Sequence, residues 1–572
     1  GGYTPAWASS ISSVPASTIQ SIAAEYASNS PGSTIISYRG AVMHFNGTMT
    51  ENAVQMLEGI CGNIDVQGGR VHGVGASWSY STTYPKPSSS GLSSLSLQND
   101  GAYVKPTHHA SHQVLSQIKQ AYESSEDVPS IYLVHCYAPA YANGDMQANI
   151  DILKNTNYIP YLVISDTSYS DSAMYADLLL PDTTYLERWD WEDMVSNNHI
   201  LEYYIRQPVI HPLGQVRDLK EVCIEIAGRL STGSGDELQK VADIGSMENF
   251  VKAACNDTAV VNDAGVAKGY ADGFAFMKAE GAWYDPSATP AYETYKTEVT
   301  LDLTDPGSIA DDDPDEYIFK DSVGICWETT KADYNEGYRN VSSAYKHYKG
   351  QEINGTIYQG FKPDKVNKSG YFEINSVVLK DKHYPGLPVW MKIPEHESLN
   401  SDELILTTYK IATQIHSRSQ NCKYLTEITH HEPAWINSST ASALGIADGD
   451  TVKLTRSKTL YNDKDVTESL RMGTTQTSME VEVKITDAIH PSAIAISHHL
   501  GHWAYGRYAS GNPHPLAASD SDQAAQVAAD PDVNLKWWNK YGYRGNWIIP
   551  NAGDPIGGGL RFFDTVVKVE SA

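Results

Sequence analysis

The last third of the chain constrains the fold most. Short runs of β-branched and apolar residues recur there, at Leu404 to Thr408, Thr451 to Leu454, Met479 to Ile485, Ala493 to Ile496 and Phe563 to Val569, with a turn at Gly445-Ile-Ala-Asp-Gly-Asp450. Runs this short, broken by turn residues, close most readily into a β-barrel. Polar clusters stand between them: His416-Ser-Arg-Ser-Gln-Asn421, His498-His-Leu-Gly-His502 and Gly545-Asn-Trp-Ile-Ile-Pro-Asn551. Apolar strands account for a core. His, Arg, Asn and Ser gathered at strand ends point instead to a large polar ligand with many donors and acceptors to satisfy.

A different pattern precedes the barrel. Ser130-Ile-Tyr-Leu-Val-His135 reads as a buried strand, Ala148 to Lys154 as a helix and Ile159 to Ile164 as the next strand, followed by a helix over Ser172 to Ala176 and a short strand from Asp177 to Pro181. Strand and helix in alternation make a parallel sheet, whose ligands lie beyond the carboxyl ends of the strands. The turns Cys136 to Asn143 and Ser165-Asp166-Thr167 would project there and receive a nucleotide-like group. Further upstream, Val14-Pro15 opens a helix through Ile19, Ile22, Ala23 and Tyr26, Ser33 to Tyr38 is a β-rich run ending at Arg39-Gly40, and Thr50 caps a second helix through Ile60. Gly62, Gly68, Gly69, Gly73 and Gly75 mark a loop with unusual backbone angles or a close ligand approach. Residues 231–400 are acidic, rich in Tyr and Gly and poor in periodic signals, so loops and small sheets are expected. The cluster Asp311 to Glu316 lacks calcium-loop spacing and reads as a solvated turn.

At 572 residues the chain calls for about three domains. Its formal net charge of -27 repels phosphate backbones, which argues against a nucleic-acid partner, and no apolar run is long enough for a direct membrane span. The six cysteines form no Cys-x-x-Cys pair, so zinc and iron-sulfur clusters lack their usual spacing. His498, His499 and His502 have no carboxylate or cysteine nearby in sequence, and no metal ligand is assigned.

These stretches together resemble the catalytic subunits of the dimethyl sulfoxide reductase superfamily, which hold molybdenum or tungsten through two pyranopterin guanine dinucleotides. The resemblance rests on Tyr3-Thr-Pro-Ala-Trp7, Ile35-Ile-Ser-Tyr-Arg-Gly40, Leu57-Glu-Gly-Ile-Cys-Gly-Asn63 with Gly68-Gly69, Ser172 to Pro181, Gly445 to Asp450 and Asp554-Pro-Ile-Gly557, in that order. Ile549-Pro-Asn551 with Gly553 to Gly557 looks most like reductases of arsenate, polysulfide, thiosulfate or tetrathionate, and like catechol dehydroxylases.

The implied fold class is α/β: Rossmann-like nucleotide-binding lobes with parallel sheets and helices, plus a carboxyl-terminal β-barrel of the six-stranded type. Residues 1–80 and 81–230 would be the second halves of two cofactor-binding lobes, 231–400 an irregular acidic region near the cluster domain, and 401–572 the molybdopterin-dinucleotide-binding barrel. The implied activity is an oxidoreductase's two-electron reduction of a terminal acceptor, an oxyanion or sulfur compound, in anaerobic respiration. Alternatives are a catechol dehydroxylase or transhydroxylase on a phenolic substrate and, in another class, an inactive cofactor-fold scaffold.

The implied cofactor is bis-molybdopterin guanine dinucleotide with Mo or W. The resemblance gives Asp166 the guanine edge, Arg39 phosphate charge, Gly40 and Gly73 close backbone approach, and Cys136, Tyr137, Asn143, Ser165 and Thr167 the surrounding turns. His416, Arg418, Ser419 and Asn421 match the first pterin-contact segment, His498, His499 and His502 the second, and Asn546 the third. The family's 4Fe-4S cluster and its protein ligand to the metal are expected in an amino-terminal part outside this sequence, so no catalytic residue is assigned. Implied partners are that amino-terminal portion of the same polypeptide, a small-molecule acceptor and a ferredoxin-like iron-sulfur electron-transfer subunit, in a periplasmic or other extracytoplasmic setting.

Overall fold

The structure is a computed structural model. It describes residues 2–63, 68–70, 78–88, 114–192, 202–284, 374–376, 379–380, 384–416, 418–420, 422–429, 431–458, 478–502 and 542–572, and the backbone of five strands between 316 and 361. Gly73, Gly75, Asn421 and positions 311–315 of the acidic cluster lie outside the described residues.

Strands β1 (Tyr132–His135), β2 (Leu162–Asp166) and β3 (Leu178–Pro181) form the expected parallel sheet in the order β1-β2-β3. Helix Met146–Leu153 makes the crossover and packs Ile150, Ile152 and Leu153 with Leu162 and Ile164 in one apolar cluster. β2 is buried over Leu162 to Ser165, as a strand covered on both faces must be. The short element after it is a 3-10 turn, Ala173–Tyr175, rather than the longer helix expected.

Two expectations upstream are corrected. Ser33 to Tyr38 forms no strand, because its groups bond to helix Gly47–Ile60 instead of to a ladder. Glu58 accepts from the Ile35 N–H at 2.6 Å, and Glu51 accepts from the Ser37 hydroxyl at 2.5 Å. That helix also begins before Thr50, with Asn46 at its N-cap.

The expectation of loops and small sheets from 231 to 400 is half right. From this span β6 (Ala282–Tyr284) joins β4 (Asp190–Glu192) and β5 (Glu202–Arg206), which precede it, in a small antiparallel sheet. A second one joins β7 (Glu316–Lys320), β8 (Cys326–Thr330), β9 (Tyr338–Val341), β10 (Tyr345–Ile353) and β11 (Thr356–Phe361). Helices Glu237–Ala242, Met247–Asp257, Ala259–Ala267 and Gly273–Glu280 intervene, three of them opened by side-chain caps from Asp236, Ser246 and Asp272. They bury Val251, Val261, Phe276 and Met277.

The closed barrel joins β12 (Glu403–Tyr409), β13 (Ala434–Ile436), β14 (Thr451–Lys458), β15 (Ser478–Ile485), β16 (Ala493–Ser497) and β17 (Val566–Ser571) in the order β12-β16-β13-β15-β14-β17. Along β14, alternation buries Val452, Leu454 and Arg456. The first two join the barrel core; Arg456 reaches out of it to Asp145, 2.9 Å away, in the turn before helix Met146–Leu153.

That pair belongs to a seam between sheet and barrel. The Asn551 N–H donates to Asp145 at 3.0 Å, and the Asn546 amide donates to the carbonyls of Tyr141 and Ala142 at 3.0 and 2.9 Å. Trp547 packs against both apolar clusters. Gly144 allows this approach: a Cβ there would lie 2.5 Å from the Pro550 carbonyl oxygen, a backbone atom that cannot swing aside. Gly144→Ala is therefore expected to lower stability by about 1–3 kcal/mol through overpacking. Denaturant midpoints of the two chains check this, and equal midpoints would show that the seam yields freely.

Candidate functional site

The carboxyl ends of β1, β2 and β3 open on one cleft of about 450 Å³. β1 contributes His135 and the following Cys136 and Tyr137, β2 contributes Ser165, Asp166 and the following Thr167, and Asp182, Thr183, Thr184 and Tyr185 come after β3. Arg188, Ser170 and Asp171 complete this side. Arg418 and His502, from loops of the barrel, line the same cleft.

Seven residues singled out from the sequence thus meet in one place: Cys136, Tyr137, Ser165, Asp166, Thr167, Arg418 and His502. Asn143 stands behind them, buried, its amide donating to the Tyr137 hydroxyl. Burial pushes the Asp166 carboxyl above the usual carboxylate range, and bonds to the Ser168 and Thr167 N–H groups and the Ser170 hydroxyl oppose this. The Ser165 hydroxyl is buried with no hydrogen-bond partner among the described residues. A buried polar atom left without a partner at a cleft wall is the condition a bound ligand corrects.

A second group forms beside the barrel mouth. The His416, His498 and His499 rings lie 5.9 to 6.4 Å apart by centroid. Lys410 Nζ is 3.0 Å from His416 Nδ1, and Arg544 donates to the His498 carbonyl at 2.6 Å. Burial, reinforced by Lys410 and Arg544, pushes all three imidazoles below their usual range, His499 to about 4. Arg39, from the amino-terminal segment, acts on His416 and Lys410 in the same sense. Neutral imidazoles ringed by cations are suited to a polyanion. The His499 Nε2 is buried and lacks a partner among the described residues, while its Nδ1 faces the His416 carbonyl at 3.0 Å.

Three predicted residues sit differently. The buried Ser419 hydroxyl accepts from the Ile415 N–H and donates to Gln414, bracing its own loop. Asn546 holds the seam between sheet and barrel. A Cβ at Gly40 would meet no atom within 4 Å, so the chain itself does not demand glycine there.

Sequence reasoning missed His135, Asp171, Asp182, Arg188, Tyr141 and Arg544. The strand-end rule that found Asp166 also covers His135 and Asp182, which flank the ends of β1 and β3. Arg188 pairs with the nearby Asp182 and Asp190, whereas Asp171, Tyr141 and Arg544 gain meaning only through distant partners. The His502 ring stacks on Tyr141 at 3.7 Å, its Nδ1 bonds to the Asp171 carboxylate, and the Arg544 guanidinium covers Tyr141 at 4.3 Å.

A parallel sheet and a closed barrel sharing a cleft rich in donors define a nucleotide-cofactor-binding class of protein. A family model for molybdopterin oxidoreductase matches residues 17–229, and one for the molybdopterin dinucleotide binding domain matches residues 404–478. The chain belongs to the molybdopterin oxidoreductase family, among the relatives of dimethyl sulfoxide reductase. It is 25% identical to a selenate reductase subunit of Mesobacillus selenatarsenatis over 96% of this chain and 52% of that protein. It is 23% identical to dimethyl sulfoxide/trimethylamine N-oxide reductase of Cereibacter sphaeroides over 86% of this chain and 52% of that protein. With the molybdopterin-containing subunit of thiosulfate reductase from Salmonella typhimurium the identity is 27%, over 40% of this chain and 31% of that protein. The chain spans about half the length of the first two of these relatives.

Proposed function

We propose that this chain forms part of the catalytic subunit of a molybdenum or tungsten bis-molybdopterin guanine dinucleotide oxidoreductase that reduces a terminal acceptor, an oxyanion or a sulfur compound, by two electrons. The observation that carries the reading is the shared cleft, where sheet ends and barrel loops meet around the buried Ser165 hydroxyl, which has no hydrogen-bond partner among the described residues. The donor set fits the group. Asp166 would accept from the guanine edge, Ser165 and Thr167 would bond to the nucleoside, and Arg39, Lys410 and Arg418 would balance phosphate charge. His498 and His499, held neutral, would offer ring nitrogens to a pterin. The bound cofactor supplies the two-electron chemistry.

The chain's own residues orient and enclose. Asp171 fixes His502, which stacks on Tyr141, and the seam around Asp145 and Asn546 holds the two walls of the cleft at one spacing. In this reading the subunit includes a further, amino-terminal portion with the metal's protein ligand and a 4Fe-4S cluster. Electrons arrive through a ferredoxin-like subunit, and the assembly works outside the cytoplasm in anaerobic respiration.

Asp166→Ala tests the reading in the full subunit. Metal and pterin content per chain is expected to fall about tenfold or more, as when a charge-assisted hydrogen-bond pair is lost. The melting temperature of the cofactor-free chain should shift by only a few degrees. Asp166→Asn, which keeps an acceptor for the Ser168 N–H, should show the same loss of occupancy with still less change in melting. Full occupancy in both variants would remove Asp166 from the guanine role.

A further inference from the structure

Cys136 stands at the lip of the cleft in a left-handed backbone conformation, φ 55, which residues other than glycine seldom adopt. It is exposed, and its sulfur lies 3.1 Å from Nε2 of His135, the last residue of β1. On the other side of that ring, His135 Nδ1 lies 3.4 Å from Oδ2 of Asp182, a side chain almost wholly buried and held by the Thr183 N–H at 2.7 Å. A carboxylate can only accept, so it favours the proton on Nδ1 and leaves Nε2 bare toward the sulfur. Nucleophile, base and orienting carboxylate therefore stand in line, the arrangement by which a side chain of ordinary acidity is made to attack. Beside them the buried Ser165 hydroxyl, without a partner among the described residues, marks the same cleft as a place for a ligand.

We propose that Cys136 is a thiol-modification site, activated by His135 and Asp182, that takes low-molecular-weight disulfides entering the cleft. The Cys136 sulfur attacks one sulfur of the disulfide while its proton passes to His135 Nε2. A new S–S bond forms and the old one breaks. The departing sulfur leaves with the electron pair and collects the proton from His135, so the cysteine sulfur is oxidised and the departing sulfur is reduced. The need for a base follows from the surroundings: partial desolvation by the neighbouring cleft wall pushes the Cys136 thiol up, with Arg188 opposing, so the resting group keeps its proton. The added group occupies cleft volume, which makes modification and a ligand in the cleft mutually exclusive. The thiol chemistry stands apart from the function proposed above; only the identity of the competing ligand rests on it.

The test is dithiodipyridine labelling of the full cofactor-free chain, folded by circular dichroism, with each adduct located by mass spectrometry. Cys136 is expected to react about tenfold or more faster near neutral pH than the exposed Cys223 and Cys422, in line with general-base assistance. His135→Gln should remove most of that advantage, while Cys136→Ser abolishes the fast phase. Independently of any variant, the Cys136 rate should rise less steeply with pH than that of Cys223. Equal rates for the three cysteines, or a Cys136 profile that climbs like that of Cys223, would overturn the proposal. Excess guanosine diphosphate provides the second arm. If it slows the labelling, the nucleotide reading of the cleft is supported along with the thiol site. Fast labelling without protection upholds the thiol site and counts against the nucleotide reading alone.

Discussion

Asp145→Ala is expected to cost about 3–5 kcal/mol of folding stability, the range for removing one partner of a buried ion pair. The Asp145 side chain is wholly buried and that of Arg456 is 4% exposed, so the remaining guanidinium would have little water to turn to. The carboxylate also receives the Asn551 N–H at 3.0 Å, so one deletion removes both the ion pair and a second tie, leaving the backbone bond from the Asp145 N–H to the Ile549 carbonyl at 2.8 Å to hold the turn. Asp145 adopts a left-handed conformation, φ 49, which Asp tolerates better than most residues and Ala does not. Asp145→Asn should lose less, since it keeps the conformation and an acceptor. The pair Asp145→Asn with Arg456→Met should lose less than the two single changes summed, because neither charge is then stranded. Denaturant titrations of the full chain decide the matter, and a loss below about 1 kcal/mol for Asp145→Ala would mean that the pair is not a clamp.

Glu432 should give the molecule a pH-dependent stability of its own. It is fully buried at the entrance to β13, where its Oε1 accepts from the Tyr543 N–H at 2.7 Å; the Ser497 hydroxyl, the Leu500 N–H, Tyr409 and Arg544 also act on or face it. Burial pushes its carboxyl up to about 8, although Ser497, Tyr543 and Arg544 oppose this. The folded chain therefore keeps a proton that the unfolded chain releases near pH 4.3. This contribution to stability is accordingly complete below that value and is lost as pH rises towards 8, by an amount on the order of 5 kcal/mol. Glu432→Gln, close in shape to the protonated acid, should remove that slope and be more stable than the parent above pH 8. Stability curves of the two chains that run parallel with pH would exclude this role. The position matters for the site because Glu432 braces the segments that carry His498 to His502 and Arg544.

How much the sequence disclosed depends on how local each cause is. Barrel strands alternate inward and outward residues, so Val452, Leu454, Val481 and Val483 announced themselves, whereas β13, three residues long, is too short to show a period. The helices from 237 to 280 carried readable caps in Asp236, Ser246 and Asp272, and were overlooked because the acidic composition obscured them. Ser33 to Tyr38 has strand chemistry but no neighbouring strand among the described residues, and Glu58 and Glu51 answer its polar groups. In the site, Asp166 and Ser165 were legible because parallel strands present their carboxyl-terminal residues along one edge of the sheet. Asp171 and Arg544 were not, since each matters through a partner hundreds of residues away.

The seam between sheet and barrel has a further consequence. Trp547 apart, its named ties are a salt link, amide-to-carbonyl bonds and a ring stack capped by a guanidinium. Surfaces of that kind are content in water when they part, unlike an oily joint, which would clump. A variant whose seam is loosened therefore wets these ties rather than baring a joint held by oily contacts alone.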